Sequence, residues 1–163
     1  MNTPSPPPPV LDFARLIAWA VVDSSVRWTG RQKLFVGDKN LGAVPRLAIC
    51  QNVSGPLTDV LLFHCNDEWD VLGVSGAKSH EEVRQMAERA YEGINAKWQE
   101  VNTSSAEAEA WIRKHQPTYL CAFCGKLPTE MANFFHSEHA AICADCVQEM
   151  HRQIHAQPTS DDA

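Results

Sequence analysis

The stretch from Arg46 to Val74, RLAICQNVSGPLTDVLLFHCNDEWDVLGV, decides the fold class. It holds three runs of β-forming residues, Arg46 to Val53, Thr58 to His64 and Val71 to Val74, parted by the turn clusters Ser54-Gly55-Pro56 and Asn66-Asp67-Glu68. Connections this short join antiparallel neighbours and leave no room for a crossover helix. A further run, Lys33 to Val36, precedes the stretch and ends at Gly37-Asp38-Lys39-Asn40, another turn cluster. Together the runs predict an antiparallel meander.

Working outward, the flanks read as helices. Ser79 with Glu82 and Ser104 with Glu107 are capping boxes, in which the N-cap hydroxyl and the later carboxylate satisfy amide groups that the first helical turn leaves free. The first box opens a helix with the apolar stripe Val83, Met86, Ala87, Ala90, Tyr91 and Ile94, and the second opens one carrying Ala108, Trp111 and Ile112, which Pro117 stops. On the N-terminal side, Asp12 reads as an N-cap and Phe13, Leu16, Ile17, Ala20, Val21 and Ser24 recur at helical spacing, predicting a helix over 12–27. The fold class expected is therefore α+β: an antiparallel meander sheet packed with helices over residues 10–116, followed by a small treble-clef-like, four-cysteine zinc module over 117–155. Residues 1–9, with Pro4 and Pro6 to Pro9, predict an extended, disordered arm, and 156–163 a disordered tail.

Composition narrows the function. The 163 residues carry 14 Lys and Arg against 20 Asp and Glu, a formal charge of -6, which disfavours coating a nucleic-acid backbone. The deficit is steepest beyond Pro117, where only Lys126 and Arg152 face six acidic side chains. The longest apolar run, Phe13 to Val22, is interrupted by Arg15 and falls short of the ~20 residues a bilayer requires, so no membrane partner is expected. Six cysteines without a secretory signal at the N-terminus predict reduced thiols in a cytoplasmic protein.

Two Cys-x-x-Cys pairs, Cys121 with Cys124 and Cys143 with Cys146, carry the clearest chemical signal. Each pair can turn two thiolates inward, and two such knuckles facing each other make the tetrahedral sulfur shell that Zn²⁺ favours. Free thiols, disulfides and an iron cluster are the competing readings, and the spacing favours one structural Zn²⁺ per chain. Four thiolates fill the coordination sphere and leave no position for a reactive water. His136 and His139, between the pairs, could replace a ligand but read as surface residues beside four cysteines. Past Cys146, Val147, Met150, His151 and Ile154 form a helical stripe expected to pack on Leu127, Met131, Phe134 and Phe135.

The residues Cys121-x-Phe-Cys124-Gly125-Lys126, the intervening length and Ile142-Cys143-x-x-Cys146-Val147 resemble the N-terminal zinc-binding domain of ClpX, a bacterial protein unfoldase. The resemblance covers residues 121 to about 155. It implies a domain that binds one zinc through its four cysteines, dimerises through an apolar surface and recruits protein or peptide partners. No Gly-x-x-x-x-Gly-Lys-Ser/Thr sequence occurs in the chain, so the ATPase machinery of that family is not part of it. Residues Phe134 to His139 stand where the family usually has a turn containing Gly and Pro.

These readings converge on a non-enzymatic adaptor or regulator with a protein partner, a homodimer through the zinc module, and neither nucleic acid nor membrane as partner. An enzyme with its site in 10–116, using the module as an assembly handle, is the alternative, as is a neutraliser of a toxin or phage protein. His64 and Cys65, near Asp67, Glu68 and Asp70, offer a nominal base and nucleophile, but neighbours on a strand point to opposite faces. Cys50 and Cys65 therefore read as packed thiols, and no catalytic residue is assigned.

Overall fold

The computed structural model describes residues 5–53, 59–131 and 133–156. The chain divides into two compact units, Met1–Ala108 and Glu109–Ala163, and the division falls inside a helix rather than at Pro117. The expected turn at Ser54-Gly55-Pro56 and the start of the following run at Thr58 lie outside the described residues, as do residues 1–4 and 157–163.

In the first unit the strands are β1 (Val10–Leu11), β2 (Ala14–Val21), β3 (Arg27–Trp28), β4 (Phe35–Val36), β5 (Lys39–Asn40), β6 (Arg46–Asn52), β7 (Val60–Cys65) and β8 (Val71–Ala77). They are followed by α1 (His80–Ala90), β9 (Tyr91–Glu92) and β10 (Gln99–Glu100). The main sheet is antiparallel in the order β1-β2-β6-β7-β8, with β10 also pairing with β2. The meander expected from Arg46 to Val74 is thus present as β6, β7 and β8. The Lys33 to Val36 run does not join it: β4 folds onto β5 as a separate small hairpin, with Phe35 opposite Asn40.

The helix expected over 12–27 is a strand instead, and β2 occupies the place beside β6. Asp12 is not an N-cap. It and Phe13 have φ of 39° and 66°, the two positive values of a type I′ turn, which reverses the chain between Leu11 and its partner Ala14. The register of β2 on β6 shifts between Leu16 and Ala18, leaving Ile17 as a bulge. The bulged carbonyl of Ile17 accepts from the amides of Val101 and Asn102, both at 2.9 Å. Because of that extra residue, Ala14, Leu16 and Trp19 face one side while Ile17, Ala18 and Ala20 face the other.

Both faces of the sheet are buried over its central strands β2, β6 and β7. One core gathers Ile17, Ala18, Ala20, Leu47, Ile49, Val60 and Leu62 against Val83, Ala87 and Ala90 of α1. The opposite core holds Leu11, Ala14, Leu16, Trp19, Ala48, Cys50, Phe63, Cys65 and Trp69. A fully buried Leu such as Leu47 or Leu62 contributes about 2 kcal/mol by removal from water, so the sheet centre dominates the stability of this unit. Ser79 caps α1 by accepting from the Glu82 amide at 3.2 Å, while the Glu82 carboxylate reaches the Lys78 amide at 2.9 Å. The helix stops at Ala90, so Tyr91 pairs with Trp28 in a two-stranded ladder and does not extend the helical stripe.

The arm expected to be free over 1–9 is ordered in its described part. Pro7 is buried, the Ser5 carbonyl accepts from the Trp69 indole at 2.9 Å, and the Pro9 carbonyl accepts from the Leu16 amide at 2.9 Å. Proline cannot donate a backbone hydrogen bond, but its neighbours' carbonyls can accept one, and here they do.

The helix α2 (Ser105–His115) carries the complete box: the Ser104 amide donates to Glu107 at 2.8 Å and the Glu107 amide to the Ser104 hydroxyl at 3.2 Å. It ends before Pro117, as expected. The second unit continues with β11 (Phe134–His136), β12 (Ala141–Cys143) and α3 (Ala144–Ala156). The two strands form an antiparallel hairpin with Phe134 opposite Cys143. A cysteine knuckle, a hairpin and a helix in this sequence give the treble-clef-like arrangement read from the motif.

Candidate metal centre

The first knuckle is set by backbone geometry. The Gly125 amide donates to the Cys121 carbonyl at 2.8 Å and the Cys121 amide to the Lys126 carbonyl at 2.9 Å, closing a tight turn around Cys124. Gly125 sits at φ 69° with open space where a side chain would be, so the left-handed backbone and not crowding calls for glycine. The Ala122 amide donates to the Ala141 carbonyl at 2.9 Å, and this contact holds the first knuckle against the strand that delivers Cys143. Cys146 follows in the first turn of α3.

The four Sγ atoms of Cys121, Cys124, Cys143 and Cys146 lie within 4.8 Å of one another, and all four thiols are free. Those of Cys124 and Cys143 are 3.7 Å apart. A tetrahedron of sulfurs at the ~2.3 Å Zn–S distance has an edge of about 3.8 Å, so the group fits a four-coordinate metal ion. The donor set is a soft one, and all four positions of the tetrahedron are taken by side chains of this chain.

Amides aimed at sulfur complete the shell. The Cys143 amide donates to Cys121 Sγ and the Cys146 amide to Cys143 Sγ, each at 3.4 Å. Burial pushes the Cys121 thiol up, but hydrogen bonds from the backbone at Cys124, Cys143 and Phe123 and from the Cys124 side chain outweigh it and hold the group at about 6. Cys146 is driven the other way: its hydrogen bond to the Cys143 sulfur, then burial and the other two thiols, pushes it up to about 12. A metal cation shared by the four sulfurs would favour their thiolate forms together. Lys126 lies 3.3 Å from Asp145, beside the cluster, and its charge is favoured first by that carboxylate and also by Cys124 and Cys143.

Among the described residues the metal-competent group contains the four cysteines and no histidine. His136 is exposed and stacks on Tyr119, with ring centroids 5.3 Å apart, and His139 is exposed as well. Sequence reasoning missed Arg113, on α2, which donates to the Gly125 carbonyl at 2.9 Å and to the Glu130 carboxylate at 3.1 Å. Glu130 in turn accepts from the Leu127 amide at 2.7 Å. A basic residue in the last turn of a helix carries no signal of its own for such a brace.

The apolar stripe of α3 does not pack away as expected. No residue of the helix is buried; Val147 and Ile154 are exposed, as are Phe134 and Phe135 on β11 and Phe123 on the first knuckle. Phe123, Phe135, Ala140 and Ile142 line part of a surface hollow of about 300 Å³ beside the cysteines.

In the first unit, His64 is buried, with its Nε2 at 3.2 Å from the Gln32 side-chain nitrogen, and burial holds it down at about 4. Cys65 belongs to the opposite core with Trp19 and Trp69, and burial, against an opposing effect of Arg46, pushes its thiol up to about 12. Cys50 is raised by burial too. Asp67, Glu68 and Asp70 lie around a turn that Asn66 organises by accepting from the amides of Glu68 and Asp70. Among the described residues, no helix is long and apolar enough to cross a membrane. Comparisons of the chain with protein-family models, with curated proteins and with solved structures found no match.

Proposed function

We propose that the protein is a non-enzymatic, cytoplasmic interaction adaptor or regulator whose C-terminal module is held in shape by one Zn²⁺ on Cys121, Cys124, Cys143 and Cys146. The observation that carries this reading is the convergence of four free thiols to within 4.8 Å, with the 3.7 Å approach of Cys124 and Cys143 close to the edge of a zinc–sulfur tetrahedron. A shell made of four thiolates gives the ion a structural role, because no position remains for water or substrate. When bound, the ion supplies the cross-link between the two knuckles that so short a segment cannot draw from a core of its own.

The module then offers its apolar surface to a protein. Phe123, Phe134 and Phe135 and the α3 residues Val147 and Ile154 are all exposed, which is a costly arrangement for a monomer in water and an ordinary one for an interface. This supports self-association through the module, as its resemblance to the ClpX-type domain implies, with a protein or peptide as the further partner. A binding role is also favoured over catalysis by the interior positions of His64 and Cys65, on opposite faces of the sheet.

Sedimentation equilibrium of the zinc-loaded full chain tests the reading. A dimer at tens of micromolar that becomes monomeric in Ile154→Glu, with its zinc retained, is the expected result. A strict monomer at the highest soluble concentration contradicts the self-association.

A further inference from the structure

We propose that the surface formed by Trp69, Trp19 and Arg46 in the first unit is a binding site for proline-rich extended peptides, and that Ser5–Pro9 of the same chain is its tethered occupant. The inference goes beyond the metal-held module and does not depend on it.

The starting observation is an outlier. Trp69 has φ 70°, a left-handed conformation that Gly or Asn adopts readily and a large aromatic residue rarely does. The hairpin closes through this residue, whose amide donates to the Asn66 carbonyl at 3.3 Å while the Asn66 amide donates to the Asp70 carbonyl at 3.1 Å, so the turn accounts for the left-handed backbone but not for an indole on it. A tryptophan here, where Gly or Asn is the usual occupant, sets its ring against two neighbours. Trp69 meets Trp19 edge-on, with centroids 5.6 Å apart and planes at 88°. The Arg46 guanidinium lies 4.9 Å from the centre of its ring, and Asp67 lies 3.6 Å from Arg46 Nε.

The ligand chemistry follows from what the indole touches. Its N–H donates to the Ser5 carbonyl at 2.9 Å, and Arg46 Nη1 is 3.5 Å from that same oxygen. A run of prolines has carbonyls but no amide donors, and its rings are apolar. The indole N–H and the Arg46 guanidinium, converging on one carbonyl, are donors matched to such an acceptor-only backbone. Pro7 is buried on the domain. Pro9 is anchored separately through the Leu16 amide, so exchange involves the segment before it. Tethering raises the local concentration of the resident segment to the millimolar range, and a peptide added from outside competes against that.

The full chain, labelled with ¹⁵N, tests this through the tryptophan indole signals in NMR spectra of the wild type and of a Pro6→Gly, Pro7→Gly, Pro8→Gly variant. The probe is a synthetic peptide of residues 1–9 in their natural sequence, with a second peptide carrying Gly for every Pro as control. The Trp69 signal is assigned by Trp69→Phe or, should that chain fail to fold, by its through-space contacts with Trp19. The expected result is a Trp69 signal displaced in the variant and restored by the proline peptide, with the wild type requiring at least about tenfold more peptide. An undisplaced signal, failure of the proline peptide to restore it, equal action of the glycine peptide, or equal affinity of the two chains each overturns the proposal. None of these outcomes alters zinc content or self-association, so this site and the module are judged separately.

Discussion

Cys124 and Cys143 come from different knuckles of the second unit, 19 residues apart in sequence, and their sulfurs stand 3.7 Å from each other without a bond between them. The distance is too long for a disulfide and close to the contact that a shared tetrahedral ion imposes. The relationship makes the two knuckles interdependent: the first is placed by the Ala122–Ala141 hydrogen bond and the second by the Phe134–Cys143 pairing of the hairpin.

Removal of one thiolate should therefore unfasten both knuckles. In Cys124→Ser the hydroxyl is a poor ligand, and zinc affinity is expected to fall by more than the ~10- to 100-fold typical of losing a supporting contact around a metal site. Competition with a chromophoric chelator measures it. Full retention of affinity would show that Cys124 is not a ligand.

Acid should weaken the first unit through His64. Burial holds this imidazole at about 4 in the folded chain, against an ordinary 6.5. The unfolded chain takes up a proton as pH drops below 6.5 while the folded one does not. Stability is thus complete above that value and declines through the window from about 6.5 to 4, by about 3 kcal/mol in total. Urea unfolding followed by tryptophan fluorescence at pH 7.5 and 4.5, on the wild type and His64→Gln, isolates the effect, because any loss of metal acts on both chains. The variant should lose clearly less stability between the two pH values. An identical loss in both would mean that His64 is protonated when folded.

Gly73 tests the packing of the 32–34 segment over β8. A Cβ added there would collide with Leu34 Cδ1 and stand 3.2 Å from Leu34 Cγ. Gly73→Ala should destabilise the protein by about 1–3 kcal/mol through overpacking, and by less in a Leu34→Ala background, where the obstructing methyls are absent. Equal losses in the two backgrounds, measured by urea midpoint, would place the cost elsewhere.

How far the sequence reveals this architecture depends on how local each signal is. The knuckles depend on residues three apart and the helices α1 and α2 on capping boxes, so both are legible from short windows. The strand β2 is not. With both faces buried and a bulge at Ile17, its apolar residues fall at 14, 16 and 19 on one side and 17, 18 and 20 on the other, which breaks the period of two and imitates a helical stripe. The reversal at Asp12 and Phe13 is equally hidden, because neither positive-φ residue is a glycine. The seating of Ser5 on Trp69 joins residues 64 positions apart, and no periodicity reports such a contact. The α3 stripe is legible as a pattern, yet the sequence does not say that its residues stay exposed.

Elemental analysis of the protein, purified from its native cells without added metal or chelator, tests the central claim most directly. The account predicts one zinc per chain and no stoichiometric iron, bound by the four sulfurs of Cys121, Cys124, Cys143 and Cys146. A metal-free protein whose four cysteines are paired as disulfides, or one with iron in place of zinc, would contradict it.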